Sequence, residues 1–225
     1  MGQDVLGYTP VGAITGTWDA ATGTMTLSGT DTLANYQAAL RAVTFENTSQ
    51  NPVSATRTVS MKVSDGMLDS NVATRNIAVS PINDPPVNQV PGAVTGVLDT
   101  PLTFLAGTPT EISVSDADVT DLTVSLSVTL GTLKLSTTAG LQVTGDGTAS
   151  ITAQGPIANL NAALNGMVYT PPAGFMGEVQ LTVASDDLGQ SGPPGPMTDT
   201  DVVLITVAPP TRPFAAPDSK TMDED

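Results

Sequence analysis

The strongest constraint on what this chain folds into is that it repeats itself. Ala34-Asn35-Tyr36-Gln37-Ala38-Ala39-Leu40 returns as Ala158-Asn159-Leu160-Asn161-Ala162-Ala163-Leu164. The residues that follow match in type, Val43-Thr44-Phe45 against Met167-Val168-Tyr169. Val59-Ser60-Met61-Lys62-Val63 then parallels Val179-Gln180-Leu181-Thr182-Val183, and Ile77-Ala78-Val79-Ser80-Pro81 parallels Ile205-Thr206-Val207-Ala208-Pro209. Blocks recurring in one order at nearly constant offset mean one structural unit built twice.

Leu122, Val124, Leu126 and Val128 alternate with Thr123, Ser125 and Ser127, the pattern of a strand with one buried face. Val59, Met61 and Val63, Val179, Leu181 and Val183, and Val203, Ile205 and Val207 alternate in the same way. The Ala-Asn block has another period. Leu33, Tyr36, Leu40 and Val43, like Ile157, Leu160, Leu164 and Met167, form a single apolar stripe and predict one short helix per unit, read as core packing. Aromatics are only 4% of the chain, so the core rests on Val, Leu, Ile and Ala, and 21 Gly and 18 Pro punctuate short strands. The fold class expected is all-β: tandem Ig-like β-sandwiches, each with one short helix. Unit one is placed at residues 1–84, short of its opening strands, and unit two at 85–209. Residues 210–225 are read as a linker and the start of a third repeat, with both ends cut from a larger protein.

The chain has no Cys and no His, which excludes Ser-His-Asp and Cys-His nucleophiles, zinc sites with nitrogen or sulfur ligands, haem and iron–sulfur clusters. Its net charge of −15 repels nucleic acid and anionic lipid and suits hard cations, which bind carboxylate and carbonyl oxygens. The same acids also serve plain solubility. Residues 1–20 lack the basic and apolar regions of a signal peptide. No run of about 18 apolar residues occurs, so no membrane insertion is expected.

Several motifs are characteristic in their order. Unit one carries Gly16-Thr17-Trp18-Asp19, Leu27-Ser28-Gly29-Thr30, the Asn35-Tyr36 helix, Val63-Ser64-Asp65-Gly66 and Ile82-Asn83-Asp84-Pro85. Unit two carries Val90-Pro91-Gly92-Ala93, Val114-Ser115-Asp116-Ala117-Asp118 and Tyr169-Thr170-Pro171. Across nearly its whole length the chain resembles the cadherin-like repeats of giant, calcium-dependent bacterial surface adhesins of the RTX-adhesin type. In cadherin-like proteins Ca²⁺ sits at the junction between consecutive domains, because one small sandwich rarely supplies the roughly six to eight oxygens it takes. The resemblance implies Ca²⁺ ligands at Asn83 and Asp84 in the linker, then Asp116 and Asp118, then Asp186. Asp187 is the alternate for the last, because Ala184-Ser185-Asp186-Asp187-Leu188-Gly189 is one residue longer than the family's usual spacing. The other reading of Asp116 and Asp118 is a strand end closed by Asx-turns.

At the second junction the pattern breaks in two places. Thr211-Arg212 stands where Asn83-Asp84 stands in unit one, and Leu98-Asp99-Thr100 lacks the Glu that the resemblance implies. Abandonment of the second site, with Arg212 beside Asp223, Glu224 and Asp225 standing in for the cation, and drift in a degenerate repeat both fit. No enzyme is expected. The function expected is a secreted or cell-surface spacer, in an outer-membrane-associated parent protein, that stiffens on Ca²⁺ binding between neighbouring repeats of the same chain. Alternatives are a direct adhesive module for a glycan or protein of the host or another surface, for which Trp18 and Tyr8 are the stacking candidates, and self-processing at Asp84–Pro85.

Overall fold

The structure is a computed structural model describing residues 3–210; the expected opening of a third repeat, with Arg212 and Asp223, Glu224 and Asp225, lies outside the described residues. The described residues form two compact units, 3–84 with Ser191–Gly195, and Pro85–Gln190 with 196–210. The architecture is all-β with two short helices.

The second unit runs β7 (Val87–Gln89), β8 (Val94–Val97), β9 (Leu102–Phe104), β10 (Ser113–Ser115), β11 (Asp121–Val128), β12 (Thr132–Lys134), β13 (Gln142–Thr144), β14 (Ser150–Pro156), α2 (Ile157–Leu164), β15 (Met167–Thr170), β16 (Gly177–Asp186) and β17 (Thr198–Ala208). A six-stranded sheet in the order β13-β14-β11-β16-β17-β8 shares one core with a three-stranded sheet, β12-β15-β9, and β7 and β10 form a separate pair. β8 joins β17 in parallel, whereas the remaining pairs of these sheets are antiparallel. Alternation does the work that the sequence predicts. Leu122, Val124, Leu126 and Val128 of β11 are all buried, as are Val179, Leu181 and Val183 of β16 and Val203, Ile205 and Val207 of β17. Each such side chain contributes about 1.5–3 kcal/mol by leaving water. Several strands of this unit are only three residues long, Gly and Pro in the adjoining turns breaking β7 and β13.

The first unit contains β1 (Asp4–Tyr8), β2 (Thr15–Asp19), β3 (Thr24–Ser28), α1 (Leu33–Arg41), β4 (Val43–Asn47), β5 (Arg57–Met61) and β6 (Ala73–Ile77). Thr32 caps α1, its side chain accepting the Asn35 N–H at 3.2 Å. The strands form three separate two-stranded sheets, β1-β4, β2-β3 and β5-β6. The repeat explains each of them. β2-β3 ahead of the helix matches β13-β14, β1-β4 matches β12-β15, with Leu6 opposite Phe45 as Leu133 is opposite Tyr169, and β5-β6 matches β16-β17.

The last match corrects the sequence alignment. Arg57 lies opposite Ile77 and Gly177 opposite Val207, so Ile77 corresponds to Val207, two residues beyond Ile205. A shift of two keeps the same face buried. The first unit is the less complete, as expected, and the difference shows in the cores. Ile14 and Ala39 are the buried apolar residues among those described in the first unit, whereas the second holds a continuous core.

Candidate functional site

The six expected ligands fall on different local structures. Asn83 is 3% exposed. Its N–H donates to the Pro193 carbonyl at 2.9 Å, its Nδ2 donates to the Gly195 carbonyl at 3.0 Å, and its Oδ1 accepts from the Ser191 hydroxyl. Asn83 therefore pins the Ser191–Gly195 segment to the first unit. Asp84 is half-buried, and its Oδ2 accepts the Gln50 amide at 3.4 Å.

Asp116 and Asp118 follow β10. Asp116 Oδ1 accepts the Asp118 N–H at 2.7 Å and the Val119 N–H at 3.0 Å, which is an Asx-turn of the kind the alternative reading expects. The turn engages one oxygen only. Asp116 Oδ2 is buried and accepts no hydrogen bond. Asp118 is 8% exposed. The strand leading into this turn is anchored by α2, for Asn161 Oδ1 accepts the Val114 N–H at 2.8 Å while its Nδ2 donates to the Val114 carbonyl at 2.9 Å. The helix is thus more than core packing. It holds the backbone two residues ahead of Asp116.

Asp186 and Asp187 end β16 and open its loop, and the structure separates their roles. Positions 179, 181, 183, 185 and 187 all face inward, so Asp187 is fully buried and Asp186 half-exposed. Asp187 Oδ1 accepts the Gly189 N–H at 2.8 Å and the Met197 N–H at 2.9 Å; Asp186 Oδ1 accepts the Leu188 N–H at 2.7 Å. Among the described residues no three acidic side chains gather closely enough to hold a metal ion. What fits a hard cation is the donor chemistry, all oxygen, and the buried Oδ2 of Asp116.

One cluster has no counterpart in the sequence expectations. Asn88 on β7 donates its N–H to Asp199 Oδ2 at 2.8 Å and its Nδ2 to the Val183 carbonyl at 3.3 Å, and accepts the Ser185 hydroxyl at 2.7 Å. With Asn88 and Ser185 buried and Asp199 half-exposed, these bonds tie β7 to β16 and β17. The inward phase of Ser185 along β16 was the available signal. Asp99, in the stretch read as having lost a Glu, has φ of 55° and accepts the Gly174 N–H at 2.7 Å, a structural role in a turn. Among the described residues no helix is long and apolar enough to cross a membrane.

No protein-family model matches the chain. No curated protein matches it either. Among solved structures it is similar to extracellular cadherin domains 3–6 of protocadherin gamma B2, at 14% identity and a TM-score of 0.38, covering 91% of this chain and 40% of that one. It is similar to domains 1–5 of the same protein, at 14% identity and a TM-score of 0.37, covering 92% of this chain and 32% of that one. A third likeness is to a chain of a structure titled as complete manganese lipoxygenase of Gaeumannomyces graminis and partial zonadhesin of Komagataella pastoris, at 12% identity and a TM-score of 0.31, covering 86% of this chain and 70% of that one. The chain thus spans well under half of either protocadherin fragment. Likenesses this distant leave the reading of function to the chain's own residues.

Proposed function

We propose that this chain is a calcium-binding spacer from an exported adhesion protein, with a structural rather than catalytic role. In this reading Ca²⁺ takes oxygens from Asp116 and Asp118 and from Asp187 or Asp186, and the linker contributes Asn83 and Asp84. Binding would cancel repulsion among acids in a chain of net charge −15 and stiffen the joint between repeats. One observation carries the proposal: Asp116 Oδ2 is buried, accepts no hydrogen bond, and lies two residues from the buried Asp118. A buried carboxylate oxygen without a donor is costly unless a cation or proton compensates it.

Thermal unfolding in millimolar Ca²⁺ and in chelator tests this, because a ligand bound only by the native state raises the unfolding temperature. The midpoint should rise with Ca²⁺, and Asp116→Ala with Asp118→Ala should remove most of the rise while the second unit stays folded. Identical melts with and without Ca²⁺ would remove the reading.

A further inference from the structure

The first unit has a slot for one more strand. In the second unit β11 lies between β14 and β16, and Leu126 sits opposite Ile151 on one side and Val183 on the other. In the first unit the counterparts of those neighbours, β3 and β5, pair only with β2 and β6 among the described residues. Both line a cleft of about 1650 Å³ whose walls include Met25, Leu27, Leu40, Phe45, Met61 and Val63. The same repeat positions differ sharply in exposure. Met61, Val63 and Leu40 are 38%, 49% and 38% exposed, whereas Leu181, Val183 and Leu164 are 0%, 0% and 2% exposed. An apolar cleft between two unpaired strand edges is the receiving half of a β-sheet.

We propose that this slot seats one extended strand, antiparallel to both β3 and β5, with apolar side chains at alternate positions in the pattern of Leu122, Val124, Leu126 and Val128. The geometry points to a single source, the same polypeptide immediately N-terminal to β1. β1 is the counterpart of β12 by its pairing with β4, and in the second unit β11 feeds β12 through the three residues between Val128 and Thr132. A strand delivered through a connection of that length reaches the slot without crossing another element. By the registers of β2-β3 and β13-β14, Met25 is the counterpart of Ile151, so the new strand's Leu126 counterpart would meet Met25 and Val63, and its Val128 counterpart would meet Met61. The inference stands independently of the calcium reading.

The test fuses a second copy of residues 121–131 directly ahead of Asp4 in the full chain. A control extension carries Ser at the copies of Leu122, Val124, Leu126 and Val128. Amide hydrogen exchange should show β3 and β5 protected at least tenfold more with the apolar extension than with the Ser control. The emission of Trp18, the chain's single tryptophan and part of the cleft wall, should shift with it. Amides of β14 and β16 serve as the internal reference for folding. Equal protection with both extensions would overturn the proposal. So would an unextended chain that is dimeric at micromolar concentration with β3 and β5 already protected, because a second copy would then fill the slot.

Discussion

Asp187 and Met197 close the loop between β16 and β17 with a reciprocal pair of bonds: Asp187 Oδ1 accepts the Met197 N–H at 2.9 Å, and the Asp187 N–H donates to the Met197 carbonyl at 3.2 Å. The same Oδ1 takes the Gly189 N–H, and the side chain is fully buried. Asp187→Ala should destabilise the second unit by about 2–3 kcal/mol, since it leaves two backbone donors without their acceptor. Asp187→Asn keeps an acceptor oxygen and should lose less than half as much in urea unfolding. If the Asn variant also loses the Ca²⁺-dependent rise in melting temperature, the carboxylate has a role in metal binding beyond holding the loop. Equal losses in stability for the two variants would show that the charge, not the bonds to Met197 and Gly189, matters for folding.

Much of this was legible in the residues, and the failures have physical causes. Alternation locates β11, β16 and β17 because each buries one complete face. The helical stripes locate α1 and α2, each shorter at its C-terminal end than the stripe suggests, because Val43 and Met167 already open the next strands. The expected ligand positions are visible only as five Asp and one Asn. Extending the β16 phase from Val183 through Ser185 to Asp187 separates the buried carboxylate from Asp186, a distinction that motif spacing does not make. Asn88 and Asn161 are invisible to hydrophobic patterning, because a polar residue bonding backbone from an inward position reads as a break. That the first unit is short of its opening strands follows from the repeat, but which of its apolar side chains stay exposed does not. Met61 and Leu181 carry the same apolar character whether or not a strand lies beside them.

A glycine outside any motif should matter for folding. Gly131 has φ of 91°, and a Cβ there would come within 2.4 Å of the Thr170 carbonyl oxygen and 2.7 Å of the Tyr169 ring. Gly131→Ala combines left-handed strain with a clash against backbone and a buried aromatic, and should cost about 3 kcal/mol. Gly147→Ala is the control. Its φ is 85° but nothing lies within 4 Å of its Cβ, so it should cost only about 1 kcal/mol. Equal costs, measured by urea unfolding, would mean that the contact with Tyr169 and Thr170 is not the determinant.

The first unit should be the more sensitive to acid. Asn47 donates to Asp4 and, with Arg57 beside it, holds the Asp4 carboxyl below its ordinary value. The N–H groups of Ala13 and Thr32 and the Asn35 amide do the same for Asp31, at the start of α1. A carboxyl whose folded pKa lies below the unfolded value, about 3.9, stabilises the fold fully above that value. That contribution fades as pH falls through the depressed folded pKa. Stability followed by Trp18 emission, which reports on the first unit, should therefore be flat from neutral pH to about 5 and fall below about 4. Asp31→Asn should flatten part of that fall. An unchanged acid limb in Asp31→Asn would show that Asp31 does not carry the pH dependence.

The contrast between the repeats should also appear in their tolerance of truncation. Leu126 is 1% exposed between β14 and β16, and Leu126→Ala should cost about 2–5 kcal/mol in lost burial and residual cavity. Met61 is 38% exposed on the rim of the open cleft, so Met61→Ala should change stability by about 0.5 kcal/mol or less. Its repeat counterpart Leu181 is fully buried, and Leu181→Ala should behave like Leu126→Ala. Position in the repeat is therefore not what sets the cost; the presence of a neighbouring strand is. The decisive comparison adds the apolar N-terminal extension to Met61→Ala and follows unfolding by Trp18 emission. With the slot filled, the cost of Met61→Ala should rise toward that of Leu181→Ala. A cost that stays near zero would mean that the added strand does not reach Met61, whatever it does to the exchange of β3.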